Sequence, residues 1–188
     1  MSRLRPPPVS RNGDDSDDSD SDDSDSAAAT PAFDGFDGFD HGAHMRRTFD
    51  LAREAADRGD RPFGSVLVRG DAVVMEASNR VVTADDISRH PELELAIRAH
   101  RELSPAERAE TVMYTSTEPC PMCAGGLRTA GLGRIVYSVG GDEIGAFTGG
   151  GAPVRAAAVL AGVTPVVGPV LNAEGRAIHE AFDWAGTA

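Results

Sequence analysis

Thr115-Ser116-Thr117-Glu118-Pro119-Cys120-Pro121-Met122-Cys123-Ala124 reads as a strand running into the first turn of a helix. The β-branched run Thr111 to Thr117 favours a strand, and the helical segment Cys120 to Ala130 closes at Gly131. Pro119 fixes the chain entering the turn. Cys120 and Cys123 then share one face of the helix start, where the positive helix end favours thiolates. They are the only 2 cysteines of the chain. Upstream, His90-Pro91-Glu92 opens another expected helix, with Pro91 suited to a first helical position. One histidine, two cysteines and a spare glutamate meet the needs of a catalytic zinc site: three protein ligands, an open fourth position and a proton carrier.

The rest of the chain supplies a frame for these two segments. Met45, Phe49, Leu51, Ala52 and Ala56 recur at helical spacing, and Gly59 ends the run. Gly64 to Arg69 and Ala72 to Ala77 read as strands joined by the tight-turn pair Gly70-Asp71. Asn79 to Ser88 reads as polar loop, and Pro91 to Leu103 as a helix with Leu93, Ala96, Ile97 and His100 on one face. After the cysteine helix come a strand (Arg134 to Val139), a Gly-rich loop (Gly140 to Gly151) and a short helix (Pro153 to Ala161). A strand (Thr164 to Val170) and a last helix (Ala173 to Trp184) complete the order. Alternating strands and helices predict a layered α/β domain on a mixed sheet, with an antiparallel first hairpin and a parallel remainder. In such a sheet the helix starts gather at the carboxyl edge of the strands, so the two segments meet at one metal.

The order His-x-Glu, then Pro-Cys-x-x-Cys, is the signature of the zinc-dependent deaminases. Over roughly residues 43–185 the chain resembles the cytidine and deoxycytidylate deaminase superfamily, in the branch that holds guanine deaminases and tRNA adenosine deaminases. Arg61-Pro62-Phe63-Gly64-Ser65-Val66-Leu67-Val68 is similar to that family's first strand, and Asn79 stands where its substrate-binding asparagine ends the second. Asp86-Ile87-Ser88-Arg89-His90-Pro91-Glu92 and Glu118 to Cys123 parallel its two motifs, with Pro91 replacing the usual alanine. The resemblance implies a three-layer α/β/α sandwich on a five-stranded mixed sheet, a cytoplasmic enzyme, and a homodimer. It implies that His90, Cys120 and Cys123 hold Zn2+, that Glu92 carries protons, and that Asn79, Phe63 and Asp86 contact substrate. Phe182 and Trp184 fall where some relatives close the site, or else pack the last helix.

The substrate class is less constrained. A small nucleobase or nucleoside, of guanine or cytosine type, suits a final helix with no basic cluster; a tRNA wobble adenosine needs a cationic surface. A thioredoxin-type dithiol is a reading of another class, in which Cys120-Pro121-Met122-Cys123 exchanges disulfides without metal and His90 is incidental. A zinc-bound but inactive partner subunit is disfavoured by the retained Glu92.

Composition locates the acidity. Of a net charge of −12, residues 1–40 contribute 11 acidic residues against three arginines, and residues 41–188 contribute 19 against 15. All 18 basic residues are arginine, which suggests a high-GC genome and perhaps salt adaptation. Residues 1–40 read as a disordered acidic tail, because the Asp/Ser run Asp14 to Asp25 has no apolar area to offset ordering entropy. Its end, Phe33 to Asp40, repeats Phe-Asp-Gly, a docking peptide or a linker. The alternation at Asp14, Ser16 and Asp18 lacks the glycine and distal glutamate of a calcium loop. Residues 41–188 are then the catalytic domain. No apolar run of about 18 residues suggests a membrane helix, and no apolar stretch follows Arg3 and Arg5 as in a secretory signal.

Overall fold

The structure is a computed structural model that describes residues 36–150 and 154–187. Most of the expected acidic tail, with its Asp/Ser run, lies outside the described residues, as does Pro153. Asp40 caps α1 (His41–Asp57) by accepting the Ala43 N–H at 2.9 Å. β1 (Gly64–Arg69) and β2 (Ala72–Ser78) turn at Gly70 and Asp71, whose φ values of 58° and 63° give the turn a hairpin of this twist prefers. Then follow α2 (Val81–Ala84), a 3-10 turn (Ile87–Arg89), α3 (Pro91–Glu102), α4 (Pro105–Ala109) and β3 (Val112–Thr117). α5 (Pro121–Ala130), β4 (Arg134–Val139), α6 (Gly141–Thr148), α7 (Ala156–Leu160), β5 (Val166–Val167), α8 (Asn172–Glu180) and a 3-10 turn (Trp184–Thr187) complete the order.

The five strands form one mixed sheet in the order β2-β1-β3-β4-β5. β1 runs antiparallel to both neighbours, while β3, β4 and β5 run parallel, as the alternation predicts. Side chains alternate between two cores. Leu67, Met113 and Ile135 face Leu95, Ala99, Leu127 and Leu160 of α3, α5 and α7. Val66, Val68, Val112, Tyr114 and Val136 face Met45, Phe49 and Ala52 of α1 and Ile178 of α8. The result is the expected three-layer sandwich, with β3 and β4 buried along their whole length. Gly64 allows α1 to cross β1 closely: a Cβ there would lie 2.6 Å from the Leu51 Cβ and collide with the Thr48 carbonyl.

Several local expectations change. Residues 79–88 are not loop throughout but hold α2 and a 3-10 turn. Within the expected Gly-rich loop, Gly141–Thr148 forms α6, because carboxylates hold its first turn: Glu143 accepts the Gly140 N–H and Glu118 accepts the Gly141 N–H, both at 2.9 Å. The last strand shrinks to Val166–Val167, since Pro169 has no N–H to continue the ladder. The last helix ends at Glu180 instead of Trp184. The end of the Phe-Asp-Gly repeat is docked: Phe36 lies 4.9 Å beneath the Arg134 guanidinium, and Phe36 and Phe39 meet edge to face at 5.4 Å. Among the described residues no helix is long and apolar enough to cross a membrane.

Candidate active site

The site forms where β3 and β4 end and β1 begins. His90 is the N-cap of α3 and Cys120 the N-cap of α5, both with φ −63° and extended ψ, and each is followed by a proline at the first helical position. Neither side chain bends back to cap its own helix, so both are free to face each other across the sheet edge. Cys123 lies in the first turn of α5 on the same face. The ligand atoms of His90, Cys120 and Cys123 all lie within 4.8 Å of one another, and the two sulfurs are 3.4 Å apart. Tetrahedral zinc with Zn–S bonds of about 2.3 Å needs sulfurs roughly 3.8 Å apart, so this imidazole and thiol pair fits such a metal with little movement.

The electrostatics of the three side chains are coupled. The Cys123 thiol, with help from His90, stabilises the Cys120 thiolate and holds its pKa down at about 4. Cys123 is pushed up, chiefly by that thiolate, and keeps its proton. The Cys120 thiolate in turn raises His90. A dication would replace the shared protons as the balancing charge.

Glu92, in the first turn of α3, is buried, and that burial raises its pKa. Its Oε1 accepts a 2.8 Å hydrogen bond from Thr115 Oγ1, and its Oε2 lies 3.6 Å from Cys123 Sγ. The carboxyl group is therefore fixed beside the ligand cluster without being one of its members.

Asn79 follows β2 and exposes 1% of its surface. Its N–H donates to the Phe63 carbonyl at 2.9 Å, and its own carbonyl accepts from Arg58 Nη2 at 2.8 Å. Its Oδ1 accepts the Val81 N–H at 2.8 Å, which sets the amide orientation and leaves Nδ2 as the free donor. Phe63 packs against His179 and Trp184, with ring centroids 5.8 and 6.1 Å away.

A profile of the MafB19-like deaminase family matches residues 39–149, which carry both helix-start motifs. The chain belongs to the MafB19-like deaminase family. A probable cytosine deaminase of Schizosaccharomyces pombe is 30% identical over 156 residues, covering 77% of this chain and 92% of that protein. A guanine deaminase of Bacillus subtilis is 33% identical over 99 residues, covering 52% of this chain but only 64% of its own length. A solved structure from work on tRNA A34 deaminases superposes with a TM-score of 0.59 at 25% identity, covering 73% of this chain and 99% of that one. The deaminase is accordingly a hydrolase of C–N bonds, and its fold is the cytidine deaminase-like one.

Asp86, expected to contact substrate, stands just ahead of the first ligand residue. Asp86 caps the 3-10 turn before His90, its Oδ1 accepting from the N–H and Oγ of Ser88 at 2.8 and 2.7 Å. Its second oxygen pairs with Arg89 at 3.4 Å. Its contacts thus position the approach to His90.

Two further carboxylates support the site. Asp60 is fully buried and accepts from Val82 N, Thr83 N and Thr83 Oγ1 at 2.8–3.0 Å, capping α2 from a distance. Together with Arg58, which donates to the Asn79 carbonyl, it holds the backbone between Asn79 and Thr83. Glu118 accepts from Ala156 N and Arg155 Nε at 2.9 and 2.7 Å as well as from Gly141, joining the cysteine loop to the starts of α6 and α7. The Glu-Pro-Cys motif drew attention to Glu118; nothing in the local sequence marks Asp60.

Proposed function

We propose that the protein is a zinc-dependent deaminase that hydrolyses the exocyclic amine of a small nucleobase or nucleoside. The observation that carries this reading is the fixed carboxyl of Glu92 beside a histidine and two cysteines disposed as three ligands of one metal. His90, Cys120 and Cys123 would hold zinc, whose Lewis acidity makes a water nucleophilic near neutral pH. Glu92 takes the proton of the attacking water and delivers it to the ring nitrogen beside the amine-bearing carbon. It then passes a proton to the departing ammonia, so amine and water become carbonyl and ammonia. Thr115 holds Glu92 in place during these transfers. Asn79 donates Nδ2 to an acceptor on the base, and Phe63 supplies an apolar face for the ring.

A small substrate is favoured by the surface near the end of the chain. In α8, Arg176 pairs with Glu143 at 3.0 Å and with Glu180 at 3.2 Å, so it offers no free positive charge to a phosphate. The cytosine- and guanine-acting names of the two relatives agree with that choice. The deciding experiment is an ammonia-release screen of guanine, cytosine, adenine, their nucleosides and an anticodon stem-loop. Turnover of a free base or nucleoside supports the proposal; turnover of the stem-loop alone replaces it with the tRNA reaction. A metal-free protein that cycles a Cys120–Cys123 disulfide and releases no ammonia would return the dithiol reading.

A further inference from the structure

His179, in α8, takes no part in the chemistry above, yet it is buried at the same end of the sheet. It exposes 1% of its surface, and its Nδ1 is enclosed without a hydrogen-bond partner among the described residues. Its surroundings are aromatic. Phe63, Phe147 and Trp184 each place a ring centroid 5.8 Å from the imidazole. The Trp184 indole N–H donates to the His179 carbonyl at 2.9 Å, which locks the two residues together.

These rings share the sheet edge of the ligand cluster. Phe63 precedes β1 and is hydrogen-bonded to Asn79. Phe147 lies in α6, directly after β4. Gly175, one turn before His179, packs on β4, where a Cβ would lie 2.9 Å from Val139 Cγ2 and collide with Ser138 Oγ. Val139 O in turn accepts the Glu118 N–H at 2.8 Å, just ahead of the cysteines.

A buried nitrogen without a partner lowers stability, and a phenylalanine in an aromatic cage would not carry that penalty. Burial also holds the imidazole neutral, with its pKa drawn down to about 4. A polar group kept at a stability loss at the sheet edge that holds a reactive centre is explained when a ligand completes its hydrogen bonding. We propose that His179 is a specificity-determining residue, whose imidazole hydrogen-bonds the edge of a planar base lying against Phe63, Phe147 and Trp184. This inference rests on the deaminase reading of the site for the identity of its ligand as a nucleobase.

The test uses the full chain and its single tryptophan, Trp184, whose fluorescence reports what binds at the wall. Guanine, cytosine and adenine are titrated into wild type, His179→Phe and His179→Gln, with zinc content and melting temperature measured on each. In His179→Phe the best-bound base loses about tenfold or more in affinity, zinc content is unchanged, and the melting temperature equals or exceeds that of wild type. His179→Gln, which keeps a donor and an acceptor at a different reach, changes the order of preference among the three bases. Should His179→Phe not fold, the order of preference in His179→Gln decides the question alone. Unchanged affinities and order overturn the proposal, as does a wild-type protein whose emission no base alters. The titrations are made in the Glu92→Ala background, so that no base turns over while it binds, and ammonia release is measured with Glu92 intact; the two proposals therefore separate. His179-dependent binding without ammonia release upholds this role and removes the free bases as substrates; ammonia release with unaltered binding in the variants does the reverse.

Discussion

Thr115 Oγ1 donates a 2.8 Å hydrogen bond to Glu92 Oε1, tying the interior of β3 to the first turn of α3. Thr115 in turn accepts from Ser65 Oγ at 2.9 Å, so a line of two hydroxyls runs from β1 through β3 to the carboxyl group. All three side chains are buried. A carboxyl group in such a place has few rotamers open to it, and that rigidity suits a group that must meet a water, a ring nitrogen and a departing amine in turn.

Thr115→Val tests that line. Valine keeps the shape and removes the hydroxyl, leaving Glu92 Oε1 without its donor and Ser65 Oγ without its acceptor. The variant is expected to lose about 1–3 kcal/mol of stability and about tenfold in kcat, with a smaller change in KM. A kcat equal to wild type would mean that Glu92 needs no orientation from β3.

Metal content and turnover are expected to separate between the ligand residues and Glu92. His90→Ala or Cys120→Ser removes one of three donors and should abolish both bound zinc and ammonia release. Glu92→Ala should keep the zinc and lose turnover by about 10²–10⁴-fold, the usual contribution of a positioned proton carrier. Metal analysis beside single-substrate kinetics reads both quantities. Full activity in Glu92→Ala would remove the proposed mechanism, and a wild-type protein that survives prolonged chelation with undiminished turnover would remove the metal.

Asp60 supplies a third test, because it acts on substrate binding through backbone. Asp60→Ala leaves Val82 N–H and Thr83 N–H without their buried acceptor. It should cost about 2–3 kcal/mol of stability and raise KM about tenfold by loosening the segment after Asn79, with kcat less affected. Asp60→Asn still offers Oδ1 to both N–H groups and should recover most of the loss. An Asp60→Ala protein that is destabilised but unchanged in KM would confine Asp60 to stability.

The legible parts of this fold are those whose cause is local. Arg134–Val139 is a strand by its own β-branched run, and both ligand-bearing helix starts stand in short motifs. α4 was equally legible in principle: Ser104 and Glu107 form a reciprocal cap, with Ser104 N–H donating to Glu107 Oε2 at 2.9 Å. α6 was not legible, since its glycines argue for loop and the carboxylate of Glu118, which holds its first N–H, comes from another element. Asp60 and Thr115 are hidden for the same reason. Each acts on a residue more than 20 positions away, and no periodicity records that partnership.

The buried imidazole of His179 gives the fold an acid limit of predictable sign. Burial depresses its pKa from 6.5 to about 4, against a smaller opposing pull from Glu143. Between those values the unfolded chain binds a proton at this position and the native chain does not. Stability therefore falls as pH drops from about 6.5 towards 4, and the loss from this group levels off below that range. A depression of this size corresponds to about 3.5 kcal/mol at most, one pKa unit being about 1.4 kcal/mol. Denaturant melts at intervals between about pH 7 and pH 4 measure the slope. In His179→Phe the part of the slope due to this group should vanish, so the variant gains on wild type as the solution is acidified. Parallel curves for the two proteins would show that His179 takes up its proton in the native state as readily as in the unfolded one, and that the aromatic cage does not exclude charge.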